Sequence, residues 1–193
     1  GRDILPQSIK KRRVCGYVFD GYWEDIGTIR RFFEVNLQMA KLDAPFDFYD
    51  AQAPIYTHAR FLPGSEMHNT RLDEVLLADG CRLYDASVRE CVVGLRAIIG
   101  KEASIQSSII MGADYYETDE DRAENARRKR PDIGIGPNAV IKGAIIDKNA
   151  RLGSNVTIRY IPDRPDEEGD CFVARDGIII VPKNAVVPDG TVI

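Results

Sequence analysis

The densest group of chemistry-bearing residues is Gly21-Tyr22-Trp23-Glu24-Asp25-Ile26-Gly27-Thr28. It lies between a strand-like run and a helix-like run, where connecting loops carry most functional side chains. Asp25, between Trp23 and Gly27, suits a hard divalent cation, because a carboxylate at a strand end is a natural Mg2+ partner. The competing reading is structural: Asp25 caps a turn, and composition alone favours that reading. Other metal or redox chemistry has little material. The chain holds 2 His and 4 Cys. His58 and His68 are too few for most metal sites. Cys15, Cys81, Cys91 and Cys171 form no Cys-x-x-Cys pair and read as reduced thiols, mostly packed as small hydrophobes.

The elements that must position Asp25 are legible on either side of it. Val14-Cys15-Gly16-Tyr17-Val18-Phe19 has the branched and aromatic content of a β-strand, and Asp20-Gly21 supplies a turn. From Thr28, a suitable N-cap, Ile29, Phe32, Phe33, Leu37 and Ala40 follow the i, i+3, i+4 spacing of an amphipathic helix. Its phenylalanines read as core packing rather than a ligand box. Residues 46–65 follow, with Pro45, Pro54 and Pro63 nearly evenly spaced and Tyr49, Tyr56 and Phe61 between them. Proline removes backbone donors, so this stretch is expected to be an extended connector.

Beyond the connector an aliphatic residue recurs every six positions. Val93, Ile99, Ile105 and Met111 form the first block. Ile135 and Ile141, a step of five to Ile146, then Leu152 and Ile158 form the second, and Val181, Val187 and Ile193 the third. Period six is the mark of a left-handed parallel β-helix, three hexads to a triangular coil. Each aliphatic residue points inward and stacks on its counterpart in the next coil. Small residues such as Gly94, Gly100 and Gly153 are expected to permit the corners. Two stretches break the count. Residues 112–132 predict a helix on a loop, with Thr118 and Asp121 as a capping box, acidic Asp119–Asp121 at its start and basic Arg127–Arg130 at its end. Residues 161–176, rich in Pro, Asp and Glu, predict an exposed excursion. The C-terminal coil needs a cap, expected from a neighbouring subunit or a catalytic domain.

Composition sets outer bounds. The 193 residues carry 26 Lys+Arg against 30 Asp+Glu, a net charge of −4, with 44% apolar residues. That argues against a general nucleic-acid binder and against wholesale disorder. No stretch approaches the ~20 apolar residues of a membrane span. A cytoplasmic protein (plastidic if from a plant) is the expectation, and a start at Gly1-Arg2-Asp3 suggests a piece of something longer.

GYWEDIGT with the following IRRFFEVNL, then PFDFYDAQAPIYT, IIMGADYYETD, IGIGPNAVIKGAIIDKNARLG and DGIIIVPKNAVVPDGTVI, taken together and in register, resemble ADP-glucose pyrophosphorylase (glucose-1-phosphate adenylyltransferase). MGADYYETD and IIDKNARLG are most similar to its cyanobacterial and plant branch. The resemblance implies that residues 1–45 are the last strand and helix of an α/β nucleotidyltransferase domain, 46–65 a linker and 66–193 the β-helix. It implies an allosteric enzyme of glycogen or starch biosynthesis, converting ATP and glucose 1-phosphate to ADP-glucose and pyrophosphate, assembled as a homo- or heterotetramer. Asp25 matches a family aspartate that binds catalytic Mg2+. Lys148 and Lys183 match two effector lysines for 3-phosphoglycerate or phosphate, Arg60 matches an arginine of the same pocket, and His58 stands nearby where glutamine is more usual.

Ammonium groups and a forked guanidinium are what a small phosphorylated carboxylate requires. Without the resemblance, each lysine would read as a solvated corner residue. The family's glycine-rich phosphate loop has no counterpart here, and Gly134-x-Gly136 is too short a match. The chain alone is therefore expected to release no pyrophosphate from ATP and glucose 1-phosphate. Two rival functions remain. A hexapeptide-repeat acyltransferase would use a histidine base, but both histidines precede the regular hexads. A ligand-free oligomerisation scaffold would show no dependence on either lysine.

Overall fold

The computed structural model describes residues 2–193. From Glu66 onward the chain winds into a three-sided parallel β-helix. One face is a ladder of short strands: Glu66–His68, Arg82–Tyr84, Ile98–Ile99, Gly134–Ile135, Arg151–Leu152 and Val186–Val187. The other two faces share strands that bend at a corner. Arg71–Leu77, Ser87–Val93 and Ser104–Ile110 each run through it, and in the next coil the pieces separate as Val140–Lys142 and Ala144–Ile146.

The inward stacks explain why period six was visible. Leu83, Ile99, Ile135, Leu152 and Val187 line one face, and Val88, Ile105, Ile141 and Ile158 the next, every one of them buried. The third stack differs from the count of sixes. Val93 pairs with Ile110, and Ile110 with Ile146 and so with Val181, so Ile110 rather than Met111 enters the core. Ser87 pairs with Ser104 and Val140 with Thr157, a coil of 17 residues rather than three hexads. The missing residue is lost at the corner that the strands pass through. A single left-handed residue turns it: Glu74 at φ 51°, Glu90 at 52°, Ser107 at 45° and Gly143 at 68°.

Corner chemistry also departs from the glycine expectation. At the two six-residue corners the left-handed positions include Asn138, Asn149, Asn155 and Asn184. Asn tolerates that conformation better than most residues. Gly94 and Gly136 serve a different need. A Cβ on Gly94 would stand 2.5 Å from the Met111 carbonyl oxygen, and one on Gly136 2.5 Å from that of Gly153. These glycines let successive coils approach.

Among the described residues three helices lie outside the coil: α1 (Ile4–Lys11), α2 (Ile29–Met39) and α3 (Asp119–Arg127). Helix α1 is not among the elements expected from periodicity, and none of its residues is buried. For α2 the Thr28 hydroxyl accepts the Arg31 amide, the expected N-cap. Its apolar stripe of Phe32, Phe33 and Leu37 packs on the outside of the β-helix, against Ile109, Ile145 and Ile178. Those outward isoleucines occupy positions where a solvated sheet would carry polar groups. The predicted strand at Val14–Phe19 pairs with no other strand among the described residues, and Tyr17, Val18 and Phe19 are exposed. A strand requires a neighbour to accept its backbone, and none is at hand.

The two interruptions fold differently from each other. Helix α3 carries the expected capping box of Thr118 and Asp121. The excursion at 161–176 is partly built into the sheet: Glu167–Glu168 and Val173–Arg175 form a hairpin whose second strand runs antiparallel to Ile178–Val181. Ala174 is fully buried there.

Candidate functional site

A ladder of backbone hydrogen bonds defines the remaining corner. The amides of Arg96, Ala113, Asn149 and Asn184 bind the carbonyls of Asp79, Leu95, Gly112 and Lys148 in turn. Asp79, Leu95, Gly112, Lys148 and Lys183 therefore stand one coil above another, and the two predicted effector lysines are neighbours at ~4.8 Å spacing. Each precedes an asparagine in the left-handed conformation, Asn149 at φ 59° and Asn184 at φ 63°.

Both lysines converge on one carboxylate that sequence reasoning left inside the insertion. Lys148 Nζ lies 3.0 Å from Asp114 Oδ1, and Lys183 Nζ lies 2.6 Å from Oδ2. Asn149 Nδ2 donates to Oδ2 at 3.1 Å, while Asn149 Oδ1 accepts the Asp114 amide at 2.8 Å. Lys183 first, then Lys148 and Asn149, hold the Asp114 carboxyl far below the usual carboxylate range. Asp114 in turn, with Asp147 behind it, pushes the Lys183 ammonium up. Lys148 and Asp114 keep 37% of their side-chain surface and Lys183 48%. Ion pairs so wetted contribute only ~0–1 kcal/mol. Stability is thus a weak reason for the cluster, whereas an accessible pair of ammonium groups is a natural anion receptor.

The strand-to-helix segment carrying Asp114 is anchored independently. Tyr116 donates its hydroxyl to the Gly80 carbonyl at 2.7 Å, and its ring lies under the guanidinium groups of Arg82 and Arg96, at 5.1 and 5.9 Å. Farther along, Glu117 binds Arg151 at 2.6 Å, with the two side chains only 6% and 9% exposed. The second Glu117 oxygen accepts the Ile133 amide at 2.7 Å, and Asn125 adds a further donor. Burial pushes the Glu117 carboxyl up most strongly, but these donors together outweigh it and the net direction is down. Arg151 also reaches the Pro131 carbonyl, so one buried pair fastens both ends of the insertion to the coil.

The other predicted residues are not brought to this cluster. Among the described residues Arg60 bonds only the carbonyl of His58, at 3.1 Å, and both are exposed. Their segment meets the coil at Leu62, whose side chain lies 3.5 Å from where a Gly80 Cβ would stand. Gly80 stands three coils below Asn149, a separation of roughly 14 Å. His68 stacks on Tyr84 with ring centroids 5.5 Å apart. Asp25 faces solvent, and its Oδ1 accepts the Gly27 amide at 3.0 Å, the turn-capping geometry. Among the described residues no group of three or more His, Cys, Asp or Glu could hold a metal ion. One exposed carboxylate with an oxygen already engaged does not by itself fit Mg2+, which needs near-octahedral oxygen ligation. The loop is held by the Arg31–Glu24 pair at 2.6 Å, which ties it to α2.

A model of the GLGC left-handed parallel β-helix domain matches residues 60–192. The chain belongs to that family. It corresponds to the C-terminal part of the ADP-glucose pyrophosphorylases, and the match adds the left hand of the coil to its three-sided parallel geometry. For a GLGC β-helix the signal that sequence reading missed is Asp114. It sits in MGADYYETD, four residues beyond the inward Ile110, where the period breaks and position ceases to be readable. No helix among the described residues is long and apolar enough to cross a membrane.

Proposed function

We propose that this chain is the regulatory and assembly portion of a glucose-1-phosphate adenylyltransferase, and that Lys148 and Lys183 bind an anionic effector of the 3-phosphoglycerate or phosphate type. The observation that carries the reading is the convergence of two lysines from successive coils on one carboxylate. A ligand that presents two anionic groups a few ångströms apart meets the same pair of donors. Arg60 and His58 would complete the pocket only if their exposed segment closed along the corner from Leu62. Asp25 would contribute to Mg2+ binding only beside further carboxylates and the substrate phosphates, and the nucleotide chemistry belongs to the complete enzyme. A homo- or heterotetramer, the family's assembly, would be read directly by sedimentation.

Thermal unfolding with and without ligand tests the effector reading. Binding to the folded state alone raises stability by about 2.7 kcal/mol at a hundredfold excess over Kd. Added 3-phosphoglycerate or phosphate is expected to raise Tm by several degrees, and the Lys148→Ala/Lys183→Ala variant to abolish the shift. An unchanged Tm in the wild-type chain would instead favour a ligand-free scaffold.

A further inference from the structure

Asp114 occupies the lysine pair in the manner of a ligand. One carboxylate oxygen meets each ammonium, at 3.0 and 2.6 Å, as an external carboxylate or phosphate would. With Asp147 adjacent to Lys148 and felt by Lys183, two acidic residues face two basic ones. An incoming anion therefore meets a corner that is already neutralised. The backbone around Asp114 does not depend on these ion pairs, because Asn149 holds its amide, Tyr116 is bound to Gly80 and Glu117 to Arg151. The side chain can leave by rotation while the segment stays in place.

We propose that Asp114 is a built-in competitor for the two-lysine site, displaced when an anion binds and so setting which anions can bind. This rests on reading the lysine pair as an effector site. A tethered carboxylate acts at an effective concentration on the order of millimolar or more. A free monocarboxylate offers nothing that Asp114 lacks and fails to displace it at ordinary concentrations. A phosphate dianion, or a molecule with a phosphate and a carboxylate, carries more charge and more acceptors and succeeds. Asp114 thus filters for multiply charged ligands. The exposure of all three groups lets the exchange proceed without opening the core.

Isothermal titration of inorganic phosphate, 3-phosphoglycerate and acetate into the wild-type chain and Asp114→Asn tests this. The asparagine keeps the shape and removes the charge, and Asp114→Ser serves as a second variant should the first fold poorly. Phosphate is expected to bind Asp114→Asn at least tenfold more tightly than wild type, acetate to bind only the variants, and Asp114→Asn/Lys148→Ala/Lys183→Ala to bind none. Equal or weaker phosphate binding by both Asp114 variants overturns the competitor role and makes Asp114 an organiser of the lysines. Failure of phosphate and 3-phosphoglycerate to bind wild type and either Asp114 variant overturns the effector reading beneath it. Binding of phosphate and 3-phosphoglycerate by the variants alone also overturns the proposal, because Asp114 would then block the lysines without being displaced.

Discussion

Glu117 keeps both carboxylate oxygens inside the protein, and the consequence is measurable. Removing one partner of a buried ion pair leaves the other charged and unsolvated, at a cost of about 3–5 kcal/mol. Glu117→Ala is expected to lower the urea midpoint accordingly, whereas alanine at exposed Asp114 shifts it little. The pH dependence follows from the direction of the Glu117 shift. Its folded carboxyl titrates below its ordinary value, so its stabilisation is complete above that value and is lost as pH falls beneath it. Glu117→Gln is expected to lose less stability than wild type between pH 7 and pH 3.5, and an equal loss would contradict the assignment. Thiol chemistry at this scale is quiet: burial pushes Cys91 up to about 11 and Cys81 upward, leaving Cys15 as the exposed thiol. Lys148 and Lys183 were nameable only by resemblance, because nothing in their spacing distinguishes them from solvated corner residues. Asp114 was not nameable at all. Its partners lie 34 and 69 positions away, across an insertion that destroys the period.

At the scale of elements, periodicity told most of the truth and missed where it was physically blind. Inward residues were readable since each must be aliphatic and each face repeats. The pentad corner showed as the step of five from Ile141 to Ile146 but hid in the first block, where a single left-handed residue, Ser107, turns the strand without a break. Helix α2 was readable from its stripe and its cap, but its docking surface was not, because outward Ile109, Ile145 and Ile178 look in sequence like any strand residues. The Val14–Phe19 run has strand composition without a strand partner, a reminder that β-propensity describes a half-buried surface more than a backbone preference. Docking of α2 predicts a local effect. Phe33→Ala removes apolar burial worth about 2 kcal/mol. Hydrogen exchange is expected to quicken in the α2 amides while the coil amides stay protected. Uniform loss of protection along the β-helix would show instead that α2 is needed for the coil to form.

For the whole molecule, stacking is the governing fact. Each coil touches only its neighbours, so the structure is nearly one-dimensional and a corner becomes a column of equivalent positions. That architecture places side chains from residues 114, 148 and 183 within one hydrogen-bonded cluster, although insertions part them in sequence. The segment that carries Arg60 and His58, by contrast, meets the coil at Leu62 beside Gly80, about three coils below Asn149. If the two lysines form a single anion site, neither is sufficient alone. The decisive measurement is calorimetric titration of 3-phosphoglycerate into the wild-type chain, Lys148→Ala, Lys183→Ala and the double variant. The account predicts one ligand per chain in the wild type, at least a tenfold loss of affinity in either single variant, and little further loss in the double. Full-affinity binding in either single variant, or two independent sites that vanish one at a time, would contradict it.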